Sequence, residues 1–458
     1  MKYKLAPLEL PAQDPFQFDA LNRKPSAKSV SLLVDELEGP FVLAIDSPWG
    51  TGKTTFVKML MSVLQEKGYP CLYFDAWKTD FSADPMVAFL GEIGSFLPCE
   101  IKQGEDFQQA RRIATVLAKK AVPVSAKLAA TCARCLNAFE RDCAANAVDE
   151  YEKERGLIEE FHAALDKTVA ALIAGGKLDK LVIFIDEIDR CRPGYAVDLL
   201  ECVKHLFDIR SMLFIMAFDK QQLQTSLGAV YGQSINSNEY LRRFIDLEHK
   251  LPKPDAESFA ASLFSRFEFD KLFVSRAEEE LCEEKENLVQ SFTVLSEIFD
   301  LSLRAREQCF TAIRVAIMTT PEKHYFYPQL LIFPHLLTIL AVLRVGAPEA
   351  YRRYALEDGS ADELVAQLRS RAGGGKMLAS PAGTLIEAYL IAAKFSWQDQ
   401  TDPLREYKLA AQDRESSEET RQRAARIISI VRQLSFVRRS PSLSYIVNKL
   451  ELAARFKR

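Results

Sequence analysis

The sequence predicts an α/β fold in which a parallel sheet is covered by helices on both faces, with helical segments after it. Two observations carry this. Short apolar runs bounded by turn residues recur at 41–45, 71–74, 181–185 and 212–218, with helical periodicity between them. A glycine-rich turn also joins the first run to the first helix. Strands that alternate with helices point to a parallel sheet, because parallel neighbours need a helical crossover.

The run at 41–45 follows a Gly-Pro pair and reads as a buried strand. Over 54–65, Phe56, Met59, Leu60, Val63 and Leu64 fall at helical spacing, and Gly68 can end that helix. The run at 71–74 is a second strand, 181–185 a third and 212–218 a fourth, with a weaker fifth at 244–251. The long connection between the second and third strands exceeds what usually joins such elements, so it reads as a helical insertion at about 100–178. Its middle, 110–139, is rich in Ala and Leu. Arg111, Arg112, Lys119, Lys120, Lys127 and Arg134 interrupt it too often for a membrane span, which leaves amphipathic helices. Beyond Pro254 the chain reads as helical, broken by Gly373 to Gly375. The expected domains are 1–254, a helical lid-like domain at 255–372, and a helical region at 373–458 with a basic end. The uncharged stretch 325–343 is interrupted by Pro328, Pro334 and His335 and reads as a core helix, so no integral membrane segment is expected.

The loop Asp46-Ser47-Pro48-Trp49-Gly50-Thr51-Gly52-Lys53-Thr54-Thr55 lies between strand and helix, where a phosphate-binding loop belongs. Gly50 and Gly52 let backbone N–H groups close on phosphate oxygens, and Lys53 brings a point charge to the β and γ phosphates. Thr54 is expected to ligate magnesium. Trp49, Thr51 and Thr55 complete the candidate ATP-binding segment. Ser47 stands where the usual pattern has its first glycine, so either the loop starts differently or Ser47 is strained. The third strand ends in Asp186-Glu187-Ile188-Asp189-Arg190. Asp186 is placed to hold the magnesium, and Glu187 to orient and deprotonate an attacking water. The loop and the acidic strand end together predict Mg-dependent ATP binding and hydrolysis.

These residues resemble the KAP family of P-loop NTPases, which has animal and phage-exclusion members. The resemblance runs from about Asp19 to Pro254. Pro48 to Thr54 looks like the family's Trp-containing loop, Phe74-Asp75-Ala76-Trp77-Lys78 like its aromatic strand end, and Ile185 to Cys191 like its acidic-Arg-Cys box. Ala217-Phe218-Asp219 and Tyr240-Leu241-Arg242-Arg243 resemble a sensor strand and a YL-basic element. The resemblance implies an additional-strand P-loop ATPase with ATP as substrate, and a short segment near the base at Asp19, Leu21 and Arg23. Leu303-Arg304 resembles a lid-domain sensor arginine. The resemblance also suggests a role in bacterial antiviral defence, with protein partners in a multi-subunit complex.

Other features leave alternatives open. Arg242 and Arg243 either neutralise charge on the γ-phosphate, within one chain or across a homo-oligomer, or are solvated arginines that close a helix. Arg190 and Arg192 compete for that role. Cys132, Cys135 and Cys143 have the short spacing of zinc ligands, but on a helix they would simply pack on one face. Basic residues crowd 421–458, either to bind nucleic acid or as the solvated face of amphipathic helices. The net charge of −4 argues against a surface that tracks nucleic acid throughout. With 48% hydrophobic and 27% charged residues the chain is globular. Nine dispersed cysteines and no secretory leader pattern predict a cytoplasmic protein with reduced thiols.

Overall fold

The computed structural model describes residues 11, 14–17, 19–120, 143–174, 179–253, 255–269, 278–320, 332–395, 402–436 and 443–455. The described residues form two compact units, within 8–253 and 254–458.

The first unit is built on five parallel strands: β1 (Phe41–Asp46), β2 (Cys71–Asp75), β3 (Leu181–Asp186), β4 (Met212–Phe218) and β5 (Leu247–Lys250). Their order is β2-β3-β4-β1-β5. All six residues of β3 and all seven of β4 are buried, as expected of parallel strands covered on both faces. Alternate side chains feed two separate cores. Val42, Ala44, Ile183, Ile185, Phe214 and Met216 face one layer, while Leu43, Ile45, Val182, Phe184, Leu213 and Ile215 face the other. The second layer is α1 (Lys24–Glu36) and α2 (Lys53–Lys67), which bury Val30, Val34, Phe56, Leu60 and Leu64. Gly68, at φ 100°, ends α2 in the left-handed conformation that a side chain would resist.

The first layer holds α3 (Pro85–Phe96), α4 (Glu105–Lys120), α5 (Cys143–Ile173), α6 (Pro193–Leu206) and α7 (Lys220–Tyr231). Phe89 fixes its centre, with its ring edge-on to Phe74 at 5.0 Å and to Phe207 at 4.6 Å. The described part of the insertion, α4 and α5, therefore belongs to the sheet's own core through Phe107, Ala110, Ile113, Phe161 and Leu165. Cys132 and Cys135 and most of the Ala/Leu-rich stretch lie outside the described residues, as does the side chain of Cys143.

Strand β5 is shorter than expected. Phe244 falls in the preceding turn and packs in the core with Leu241, and only Leu247 to Lys250 pair with β1. Pairing aligns Asp46 with Phe218 and Asp186 with both Ala217 and Asp75. The register therefore brings the C-terminal ends of β1, β2, β3 and β4 to one edge, the usual ligand-binding edge of an open parallel sheet.

The second unit is helical throughout its described residues: α8 (Ala256–Arg266), α9 (Glu278–Ile298), α10 (Leu303–Met318), α11 (Ile332–Gly346), α12 (Pro348–Leu356), α13 (Ala361–Ser370), α14 (Gly374–Ala379), α15 (Pro381–Lys394), α16 (Arg405–Gln412), α17 (Glu418–Phe436) and α18 (Leu443–Arg455). Residues 336–343 of α11 are buried on every side, so the uncharged stretch is the axis of this unit where it is described. Among the described residues no helix is long and apolar enough to cross a membrane. Gly373, at φ 75°, turns the chain from α13 into α14 inside this unit. The fully buried Glu387 of α15 joins three neighbouring elements: it accepts from Arg369 at 2.6 Å, from the Tyr407 hydroxyl at 2.5 Å, and from Arg423. Arg421 pairs with Glu418 and Lys449 donates to the Thr319 carbonyl, each at 2.5 Å. Three of the basic C-terminal side chains are thus engaged within the fold.

Candidate functional site

The loop after β1 turns into α2 through two glycines with left-handed backbone, Gly50 at φ 77° and Gly52 at φ 86°. A Cβ at either position would be strained, and the left-handed Gly52 directly precedes Lys53 at the start of α2. Lys53 is buried, and its Nζ is held by the carbonyl oxygens of Ser47 at 2.5 Å and Pro48 at 3.2 Å. Burial lowers the Lys53 pKa, and the carboxylates of Asp189, Asp219, Asp186 and Glu187 oppose that shift. Thr54 and Thr55 stand half-buried in the first turn of α2.

Ser47 takes neither expected course. It is not among the described non-glycine residues with positive φ, and the loop keeps its position between β1 and α2. Its N–H donates to the Phe218 carbonyl at 3.3 Å, and its hydroxyl shares a 2.6 Å hydrogen bond with the Thr51 hydroxyl. The side chain that replaces a glycine therefore closes the loop onto itself.

Asp186 and Glu187 meet the loop from β3. Asp186 is buried and accepts from the Tyr73 hydroxyl at 3.0 Å and from the Glu187 N–H at 2.9 Å. Burial raises its pKa, against hydrogen bonds from Thr54, Tyr73 and the Glu187 N–H. The Thr54 hydroxyl donates to Glu187 Oε1 at 3.3 Å, so the start of α2 and the end of β3 converge. Glu187 itself has left-handed backbone, φ 64°, a conformation that costs a non-glycine residue about 1 kcal/mol or more. Its other oxygen is engaged by Arg190, whose guanidinium also lies 5.7 Å from the centre of the exposed Trp77 ring. Burial raises the Glu187 pKa and Arg190 lowers it.

Trp49 sits differently from a free phosphate-facing residue. Its backbone N–H donates to Asp219 Oδ2 at 3.1 Å and its indole N–H to Asp189 Oδ2 at 2.6 Å. Asp219 also caps α7 by accepting from Gln221 and Gln222. On the far side, the buried Arg23 donates to the Thr51 carbonyl at 3.1 Å and the Pro252 carbonyl at 2.6 Å, and Asp19 accepts from the N–H groups of Arg23 and Lys24.

Arg242 and Arg243 are not drawn into this cluster. Both are exposed; Arg242 pairs with Glu239 at 2.7 Å and Arg243 lies over the Tyr240 ring. Arg192 is tied to Asp80. Arg304 is exposed in the first turn of α10, in the second unit. Three residues given no role at the site by sequence reasoning prove to organise it, Tyr73, Asp189 and Asp219, while Arg190, weighed as an alternative for the γ-phosphate, pairs with Glu187. Asp189 stood in the acidic strand end and Asp219 in the sensor-strand element, but neither had been given a contact to the loop. Tyr73 carried no signal, because its approach to Asp186 depends on β2 pairing with β3.

Comparison with known proteins identifies the family. The profile of the KAP family P-loop domain matches residues 23–319, more than half of the chain. This chain belongs to the KAP family. The match reaches past Pro254, where the sequence resemblance had ended, and so includes α8 to α10. The family member is 22% identical, over 349 residues, to the phage T7 exclusion protein of Escherichia coli K12; the alignment covers 70% of this chain and 44% of the relative. The chain thus spans less than half of that relative's length. Among solved structures, the Aeropyrum pernix ORC2 protein in its ADPNP-ADP complexes overlaps at TM-score 0.32 with 11% identity, covering 95% of this chain and 94% of that one. A single-substitution variant of Thermotoga maritima RuvB overlaps at TM-score 0.27 with 14% identity, covering 85% and 93%. Both overlaps are loose. The fold is that of a P-loop NTPase, with β4 as the additional strand between the loop strand β1 and the acidic strand β3.

Proposed function

We propose that this KAP-family chain binds ATP with magnesium and hydrolyses it. The observation that carries the reading is the convergence of Thr54 with Asp186 and Glu187 behind a loop of two left-handed glycines and a buried lysine. The donor set fits magnesium: a hydroxyl and a buried carboxylate are hard oxygen ligands, and Thr54 and Asp186 would hold the ion, which would neutralise phosphate charge. Lys53 would bind the β and γ phosphates, and the N–H groups of residues 50–54 would surround their oxygens. Glu187 would take the proton of the attacking water. Calorimetric binding of Mg-ATP and steady-state phosphate release test this. Lys53→Ala should abolish both, and a wild-type chain that binds no Mg-ATP sinks the reading.

A second reading is favoured by one contact. Arg190 neutralises Glu187, and a paired carboxylate is a poorer base. In that reading ATP orders an interaction surface and turnover is a slow reset. Tight Mg-ATP binding with negligible turnover, even beside a partner, selects it.

The relative's name supports a role in antiviral defence, and we extend that role to this chain as the ATPase component of a multi-protein system. Glu187→Gln held on ATP is the form for capturing partners by pull-down from phage-challenged cells. Arg242 and Arg243, exposed in this chain, are proposed to reach the γ-phosphate of a neighbouring copy in a homo-oligomer. Specific activity that stays constant over a dilution series opposes that proposal. Nucleic acid is proposed as a stimulus that acts through the basic C-terminal helices, tested by adding DNA or RNA to the ATPase assay.

A further inference from the structure

Three hydrogen bonds around Trp49 form a closed ring. The indole N–H donates to Asp189 Oδ2 at 2.6 Å, the Asp219 N–H donates to the same oxygen at 2.7 Å, and the Trp49 N–H donates to Asp219 Oδ2 at 3.1 Å. Each member comes from a different part of the sheet edge: the loop after β1, the turn after β3, and the residue after β4. Both acceptors are buried, whereas Trp49 is 44% exposed. An indole that far in water does not owe its position to packing alone; its polar edge is anchored.

We infer that Asp189 is a positioning residue for nucleotide binding, which latches the phosphate loop to the ends of β3 and β4 through the Trp49 indole. The inference rests on the nucleotide reading above. Both N–H groups of Trp49 are spent on the latch, so the loop meets phosphate through residues 50–54. Asp189 lies three residues after Asp186, within the turn that carries Glu187. The acidic strand end and the phosphate loop are therefore one mechanical element. A loop that is already held gives up little freedom when phosphate binds, and an unlatched one must be ordered at that moment.

The chemistry makes a specific demand. Both donors end on one oxygen, so an amide oxygen can serve in its place. Asp189→Asn keeps the acceptor and loses the charge, Asp189→Ala loses both, and Trp49→Phe keeps the ring and loses the indole donor. In the full-length chain, Asp189→Ala and Trp49→Phe should each weaken Mg-ATP binding about tenfold, the double variant no further, and Asp189→Asn by less than about threefold. Turnover at saturating ATP should change far less than affinity. If Asn fails as badly as Ala, Asp189 acts through its charge on Lys53 and the latch is overturned. Additive losses in the double variant overturn it as well.

Thermal unfolding checks that each variant is folded; if Asp189→Ala is not, Trp49→Phe and Asp189→Asn still decide. A nucleotide-free readout separates this inference from the function. In the 15N spectrum the Trp49 indole signal, assigned by its loss in Trp49→Phe, should exchange slowly with water in wild type and Asp189→Asn. A Trp49 indole that exchanges as fast as a free one in wild type overturns the latch, whether or not ATP binds.

Discussion

Replacing Glu187 by glutamine separates chemistry from structure at one atom. Glutamine keeps the shape of the side chain and the left-handed backbone of residue 187, so the strain at φ 64° is unchanged. What is lost is a charge and a base. The structural cost is small. The ion pair with Arg190 joins partly buried side chains, 28% and 16% exposed, so much of its attraction is offset by the cost of desolvating both groups, and we take its net contribution as about 1 kcal/mol or less. Against that, the burial that disfavours the ionised carboxylate is relieved when the group is a neutral amide. We expect the unfolding free energy to move by less than about 1 kcal/mol. The chemical cost is large, because a positioned general base contributes roughly two to four decades of rate, about 3 to 5 kcal/mol of barrier. The assay is kcat for phosphate release, with the Mg-ATP Kd and the unfolding midpoint measured on the same preparation. Expected are a kcat down by at least about a hundredfold, a Kd within about threefold, and an unchanged fold. A kcat within about fivefold of wild type refutes the role of Glu187. Arg190→Gln is the counterpart. Freed from its cation, Glu187 becomes more basic, so kcat above neutral pH should hold or rise. A fall of about a decade would instead place Arg190 on the phosphates.

Three further outcomes follow from the same geometry. Burial raises the Glu187 carboxyl, so the native site takes up its proton at a higher pH than an ordinary glutamate. ATPase activity should therefore fall on acidification with a limb above the ordinary carboxylate range, while the fold, relieved of a buried charge, does not weaken with it; parallel pH profiles of kcat and melting temperature check this. Asp186→Asn should abolish magnesium-supported ATP hydrolysis yet raise stability by about 1 kcal/mol in urea, because the folded-state pKa of Asp186 is raised and its ionised form subtracts from stability above that pKa. In the second unit, Glu387→Ala should cost about 3 kcal/mol in urea unfolding, since it strips Arg369, Arg423 and Tyr407 of one shared and fully buried acceptor; a loss below about 1 kcal/mol would show the cluster to be incidental.

The strands were legible because burial on both faces leaves near-continuous apolar runs, and β3 and β4 are buried from end to end. The weak fifth strand was misjudged at its start because Phe244 is apolar for another reason: it fills the core from a turn. The candidate nucleotide residues were legible where chemistry admits few residue types, as at Gly50, Gly52 and Lys53. What escaped were relations between strands. The residue pattern alone does not say that β4 lies between β1 and β3, which only the family resemblance implied, and on that placement depend the approach of Asp219 to Trp49 and of Phe218 to Ser47.

Ser47 shows why such relations matter. A glycine at the start of the loop is useful where the backbone must take a conformation denied to other residues, and here it takes none. The loop is held at four points instead. Phe218 accepts the Ser47 N–H, Thr51 meets the Ser47 hydroxyl, Asp219 and Asp189 grip the two N–H groups of Trp49, and Arg23 holds the Thr51 carbonyl from the opposite side. Three of those four use side chains absent from a minimal glycine-lysine loop. The departure at Ser47 and the tryptophan at position 49 are therefore two parts of one solution, in which neighbouring elements hold the loop and glycine is kept only at Gly50 and Gly52, where the backbone requires it.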